Sequence, residues 1–133
     1  MNKFERLIEF HSPNFTRTPE DRELVNHHNM HGYALSKYIG DKLEMRGTAV
    51  DYVPEDWGWY CFLVNLDFSL AYGVVAENDG EEFLIQFIPH KPFVRKGFFK
   101  KIDVSEPLLN LQENVFEILC EAPNSGQPKW IEG

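Results

Sequence analysis

The sequence predicts an α+β fold in which an antiparallel sheet of about five to six strands packs two helices on one face. Three observations support this prediction. A segment with helical periodicity occupies the N-terminal third, strand-like segments fill the middle, and a second helical segment lies near the C-terminus. The predicted order of elements is β-α-β-β-β-β-α-β.

The first helix is predicted over residues 19–46. Thr18 is a suitable N-cap, and Gly47 is a natural residue to end the helix. Apolar residues recur between them at helical spacing: Leu24, Val25, Leu35, Ile39 and Leu43. Gly32 and Gly40 interrupt the segment, so either the helix bends or breaks near Gly32, or the glycines let another element approach closely. We favour a single helix.

The strands are predicted from runs of β-branched and aromatic residues. These runs cover residues 4–10, 48–53, 58–66, 69–77, 81–89 and 128–131. The sequence Asn78-Asp79-Gly80 predicts a hairpin, because these residue types tolerate positive φ. Residues 90–104 are predicted to be irregular. The second helix is predicted to begin at Ser105 and to stop at Pro123.

Length and composition predict one domain, residues 1–133, because no Pro/Gly/Ser-rich linker divides the chain. The net charge of −8 makes non-specific nucleic-acid binding an unfavourable hypothesis. Cys61 and Cys120 lie in apolar runs, which predicts buried free thiols, and their spacing does not suggest a zinc site. We therefore expect no cofactor.

The location is predicted from two stretches of the chain. The N-terminal residues contain no apolar signal segment. The longest apolar stretch, residues 57–66, is too short to span a bilayer. We expect a cytoplasmic protein that does not bind membranes.

The first candidate site is the run Glu55-Asp56-Trp57-Gly58-Trp59. In a strand, Trp57 and Trp59 would point to the same face, and a carboxylate enclosed by their indoles would be a candidate general acid. In the alternative interpretation, Glu55 and Asp56 form a turn and the tryptophans pack in the core or cover a sheet edge. The structural interpretation is favoured.

The run EDWGWY, placed between a long helix and a meander of strands, resembles a motif of small uncharacterised bacterial proteins. Some of those proteins are similar to immunity proteins, which neutralise toxins. The resemblance covers residues 20–90. It implies a role in binding another protein, with Glu55, Asp56, Trp57 and Trp59 as candidate binding residues, and it supplies no catalytic residues.

The second candidate site is a helical metal site formed by Glu23, His27 and His31. Residues four apart share one face of a helix, so two imidazoles and a carboxylate could reach one ion. However, the segment lacks the HExxH order of zinc enzymes. The favoured alternative is a polar helix face, with His31 near the apolar stripe as a satisfied, partly buried histidine.

The third candidate site is the basic and aromatic segment 90–101. Its candidate binding residues are Lys91, Arg95, Lys96, Phe98 and Phe99. The segment holds five basic residues, and the rest of the chain holds 8 basic and 21 acidic residues, which gives that remainder a charge of −13. Such a segment can contact nucleic acid, an acidic protein, a membrane surface or the chain's own acidic face. Alternatively, its phenylalanines fold into the core.

Together these patterns favour a small acidic protein-binding domain, immunity-like or inhibitor-like, that regulates another protein. Acidic residues at the predicted hairpin tip could meet a basic partner: Glu77, Asp79, Glu81 and Glu82. One alternative is a metal-dependent enzyme or sensor that uses the histidines or the Glu55/Asp56 pair. Another is an oligomeric scaffold component, such as a homodimer. No nucleophile, phosphate-loop or dinucleotide motif is present, which disfavours an enzyme.

Overall fold

The computed structural model of the chain describes residues 2–23, 31–77 and 80–133. In chain order, its elements are β1 (Leu7–His11), a 3₁₀-helix (Pro19–Glu23), α1 (Tyr33–Met45), β2 (Val50–Glu55), β3 (Gly58–Leu63), β4 (Ala71–Glu77), β5 (Glu82–Ile88), β6 (Phe93–Lys96), β7 (Lys100–Asp103), α2 (Ser105–Cys120) and β8 (Lys129–Ile131). Six strands form one sheet in the order β2-β3-β4-β5-β1-β8, and every neighbouring pair is antiparallel. The predicted α+β class and its antiparallel sheet are confirmed.

The core lies between one face of this sheet and the two helices. Alternate residues of the strands point into it, as β5 illustrates: Phe83, Ile85 and Phe87 are fully buried. Leu35, Ile39 and Leu43 of α1 meet the same cluster, as do the apolar residues of α2. Both helices therefore cover a single face of the sheet, as the sequence predicts.

The predicted continuous helix over residues 19–46 is wrong in its middle. The chain forms a 3₁₀-helix at its start, residues 31–32 are not helical, and α1 begins only at Tyr33. Gly32 has φ 150°, a backbone conformation that ends helical geometry and that side chains rarely allow. The break near Gly32 is thus the alternative that the structure adopts.

The Asp21 carboxylate holds these two parts of the chain together. Its Oδ1 accepts hydrogen bonds from the backbone N–H of Tyr33 (3.1 Å) and from Nε1 of Trp59 (2.8 Å). Its Oδ2 accepts from the backbone N–H and the hydroxyl of Thr18 (2.8 and 3.2 Å). Because Gly32 at the N-cap has no side chain, Asp21 supplies the capping acceptor for α1 from twelve residues away.

The other end of α1 is set locally. Gly47 (φ 95°) follows the last helical turn. Its N–H donates to the carbonyl of Glu44, and the N–H of Thr48 donates to the carbonyl of Leu43. This is a Schellman motif, so the predicted role of Gly47 is confirmed. Gly40 serves close approach: the Tyr52 hydroxyl of β2 packs directly on it, where a Cβ would clash.

Residues 90–104 contain strands that the sequence did not predict. β6 and β7 form a separate two-stranded antiparallel sheet, with Phe93 opposite Asp103 and Lys96 opposite Lys100. Sequence periodicity missed this hairpin because its strands are only four residues long and half of their side chains are basic. Residues 93–103 are called the β6–β7 arm below.

We expect Asp21→Asn to lower the free energy of unfolding by about 3 kcal/mol. The amide would place donors against the donors of Thr18, Tyr33 or Trp59, and some of these buried groups would lose their acceptor. Urea unfolding followed by far-UV circular dichroism measures the change. The matched control is Asp41→Asn, which removes only an exposed ion pair with Lys37 and should cost less than about 1 kcal/mol. Equal effects of the two substitutions would contradict the role given to Asp21.

Candidate functional site

The tip of the β6–β7 arm exposes two aromatic side chains to solvent. Gly97 adopts φ 72° in the turn, which a glycine does without strain. Phe98 and Phe99 follow it with 92% and 97% of their surface exposed, and their ring centroids lie 6.4 Å apart. Two adjacent exposed aromatic side chains form an apolar patch, and such patches mark candidate contact surfaces. The alternative that these phenylalanines fold into the core is wrong for Phe98 and Phe99.

Three cations surround the ring of Phe93 at the base of the arm. The Nζ of Lys101 lies 3.8 Å from the Phe93 centroid, the Nζ of Lys91 4.9 Å and the guanidinium of Arg95 5.8 Å. Each distance is within the reach of a cation–π interaction. The Phe93 ring therefore contacts these cations in the way that a carboxylate often does elsewhere.

The cations of the arm have no acidic partner among the residues that the structure describes. The salt bridges found there join Lys37 to Asp41, and Arg46 to Glu117 and Glu121. Lys91, Arg95 and Lys96 take part in none of them, and Arg95 and Lys96 are exposed. The positive charge of the arm thus faces solvent.

The arm projects from one end of the main sheet. β5 ends at Ile88, which pairs with Ala71 at the start of β4. The arm follows and is closed at its base by a hydrogen bond from the N–H of Val104 to the carbonyl of Pro92 (2.8 Å). α2 then begins at Ser105. The β3–β4 connection, residues 64–70, lies at this same end of the sheet.

A cleft of about 360 Å³ lies between the β3–β4 connection, the end of α1 and the start of α2. Leucine is the most frequent residue type in its lining, and we call it the leucine cleft. Its lining residues are Leu43, Gly47, Thr48, Ala49, Leu63, Val64, Asn65, Leu66, Leu70, Pro107, Asn110, Leu111 and Asn114. Leu66, at the cleft, is 42% exposed. The described residues that line it include no ionisable side chain, so the cleft suits an apolar group more than a reaction.

The two tryptophans of the EDWGWY run occupy opposite faces of the sheet. Trp59 is buried on the helix side and hydrogen-bonded to Asp21. Trp57 lies in the β2–β3 turn with its ring on Gly73, whose absent Cβ would be 2.8 Å from the indole. Gly73 pairs with Tyr60, which follows Trp59 and points to the other face. Trp57 and Trp59 would share a face only if both lay in a strand, and they do not share one because Trp57 lies in the turn before β3.

Glu55 and Asp56 are both exposed at this turn. Glu55 ends β2 opposite Gly58, and Asp56 begins the two-residue connection to β3. Both residues are exposed, and the buried indole of Trp59 bonds a different carboxylate. The enclosure that a carboxylate needs to act as a general acid is therefore missing here.

The histidine hypothesis loses its helical geometry. His31 lies outside any helix and is buried, with Nε2 donating to the carbonyl of Gly80 (2.8 Å) and its ring edge-on to Phe83. It is the satisfied core histidine of the alternative interpretation. His27 lies outside the described residues, and Glu23 ends the 3₁₀-helix. Within residues 2–23, 31–77 and 80–133, no cluster of three or more His, Cys, Asp or Glu side chains could hold a metal ion.

The acidic hairpin tip lies at the end of the sheet away from the arm. β4 and β5 pair as predicted, with Glu77 opposite Glu82 at their outer end. Glu77, Glu81 and Glu82 are exposed, and Asp79 lies outside the described residues. β5 therefore leads from an acidic end of the molecule to the basic arm.

The two cysteines are in different environments. Cys61 is fully buried, and burial raises the pKa of its thiol to about 12. Cys120, at the end of α2, is exposed, so the prediction of a buried thiol is wrong there. Successive residues of an α-helix are rotated by about 100°, so Cys120 points away from the stripe that buries Leu119.

Comparison of the chain with protein-family models, curated proteins and solved structures finds no match. Across the described residues, no helix combines the length and apolar character needed to cross a bilayer.

We expect one thiol of the native protein to react with Ellman's reagent at pH 8, and two after denaturation. Cys120 is accessible, whereas Cys61 is buried and protonated because its pKa is raised to about 12. Release of the coloured thiolate is followed by absorbance. Cys120→Ser should abolish the native reaction and leave the fold intact. Two rapidly reacting native thiols would contradict the burial of Cys61.

Proposed function

We propose that this chain is a small protein-binding domain, immunity-like or inhibitor-like, and that the β6–β7 arm is its contact element. The single observation that carries the proposal is the near-complete exposure of Phe98 and Phe99 at the tip of a hairpin. We further propose that it acts in a reducing cytoplasm, where both of its cysteines stay free.

The apolar tip supplies the free energy of binding in this proposal. Full burial of one phenylalanine side chain is worth about 1.5–3 kcal/mol. Rigid aromatic side chains that enter a pocket are typical centres of protein interfaces. The turn at Gly97 presents Phe98 and Phe99 side by side, so one pocket of a partner can take both.

The cations around the tip select the partner. Lys96 and Lys100 face each other directly before and after the turn, and Lys101 and Arg95 form the next pair. A partner with carboxylates around an apolar pocket would match this pattern. Such attraction speeds encounter and weakens as salt rises, whereas the contribution of the phenylalanines does not.

The enzyme and metal hypotheses have less support. Glu55 and Asp56 are exposed, His31 is hydrogen-bonded within the core, and Cys61 is buried. The leucine cleft offers no ionisable lining. Binding by exposed side chains of the arm requires none of these groups.

We expect the double substitution Phe98→Ser/Phe99→Ser to weaken partner binding about a hundredfold. The partner is first isolated from a host lysate at low salt on immobilised protein and identified by mass spectrometry, and its affinity is then measured by calorimetry. The matched control is Met45→Ser, which removes an apolar side chain that is 79% exposed outside the arm. Equal affinity of the arm variant and the control would refute the role of the arm.

We expect Lys96→Gln/Lys100→Gln to slow association and to flatten its salt dependence, with a smaller effect on dissociation. Stopped-flow or surface-based kinetics at several salt concentrations measures this. Lys3→Gln/Lys129→Gln makes the same change in net charge at exposed positions outside the arm. If both pairs slow association equally, the effect comes from net charge and not from the arm.

A further inference from the structure

We propose that the leucine cleft of one copy receives the arm tip of a second copy, so that the chain associates with itself. The inference rests on the proposed function, because it uses the same phenylalanines as the binding element. It adds the docking site: a surface of this chain that has the chemistry the arm would recognise.

The size and lining of the cleft suit the tip. An apolar cavity of about 150 Å³ can hold a benzene ring. The leucine cleft offers about 360 Å³, which leaves room for the rings of both Phe98 and Phe99. Leu63, Leu66 and Leu111 provide apolar walls for them. Docking would cover exposed apolar surface on both partners at once, including the exposed part of Leu66.

The arm and the rest of the chain carry opposite net charge. Segment 90–101 holds five basic residues and no acidic one, whereas the remainder of the chain has a charge of −13. Two exposed carboxylate residues, Asp67 and Glu106, directly adjoin lining residues of the cleft in the sequence. Lys42 and Arg46 adjoin the lining as well, and Arg46 is paired with Glu117 and Glu121 on α2. The cations of the arm are therefore attracted to the acidic remainder of a second copy.

The tip does not occupy the cleft of its own chain. Phe98 and Phe99 are 92% and 97% exposed, which no docked ring could be. Occupation of the cleft by this tip is therefore a contact between molecules. Because the arm and the cleft are different surfaces, the contact is heterologous: it either closes into a small ring or continues as a chain. A partner protein that binds the tip would compete with this self-association.

Sedimentation velocity over a wide range of protein concentration tests the proposal. At low salt, the average mass of the sedimenting wild-type species should rise with protein concentration. At high salt, the average mass should fall towards that of the monomer. The variant Phe98→Ser/Phe99→Ser keeps the cleft but lacks the aromatic tip. The variant Leu66→Asp keeps the tip but places a charge in the apolar cleft. Each variant alone should therefore stay monomeric. Their equimolar mixture should form heterodimers, since one working tip meets one working cleft. Met45→Ser should associate like the wild type.

Both variants change exposed residues, so unaltered thermal unfolding will show that they fold. A wild-type chain that remains monomeric throughout overturns the inference, whether or not the arm captures another protein. Association that survives Leu66→Asp, or a mixture that stays monomeric, overturns the cleft as the docking site. Binding of a monomeric wild type to anionic phosphatidylserine vesicles, lost in the arm variant, would assign the tip to lipid instead. Failure of the lysate capture with intact self-association would refute only the proposed function.

Discussion

The carboxylate of Asp21 is the interaction on which the organisation of the helical side depends. It is fully buried, and it joins the 3₁₀-helix, the first residue of α1 and the indole of Trp59 on β3. A buried charge is costly unless its oxygens are satisfied, and here each oxygen accepts two hydrogen bonds. These four donors come from three separate parts of the chain, so the position of α1 over the sheet and the helix break at Gly32 are fixed together.

A second buried anchor lies just after the segment that follows Asp21. His31 bonds the carbonyl of Gly80, where β5 is about to begin, and its ring packs on Phe83. Asp21 and His31 thus contact two different strands. His31 was a candidate metal ligand in the sequence, yet the fold uses both side chains as internal hydrogen-bonding groups.

The β6–β7 arm differs from these buried anchors because the apolar side chains at its tip are exposed to solvent. A two-stranded hairpin has little stability of its own, and this one is held by its ladder, by the cations on Phe93 and by the bond that closes its base. Its apolar tip adds nothing to the core. The chain buries most of its large apolar side chains but leaves Phe98 and Phe99 in water, and this exposure is the basis of the proposed binding role.

The sequence by itself determined the features that depend on neighbours along the chain. Alternation places Phe83, Ile85 and Phe87 on one face of a strand, the Asn78-Asp79-Gly80 signal predicts the pairing of β4 with β5, and Gly47 ends α1. The sequence also determined the net charge and the cluster of basic and aromatic residues, and it indicated residues 90–101 as a candidate contact.

Only the tertiary structure decided which of those residues face solvent and which meet each other. It set Trp57 and Trp59 on opposite faces, because Trp57 lies in the two-residue turn between β2 and β3 and Trp59 lies in β3. It also separated Cys61 from Cys120 by burial, and it assembled the leucine cleft from three distant segments. Periodicity describes one element at a time, whereas burial and pocket shape depend on which elements pack together.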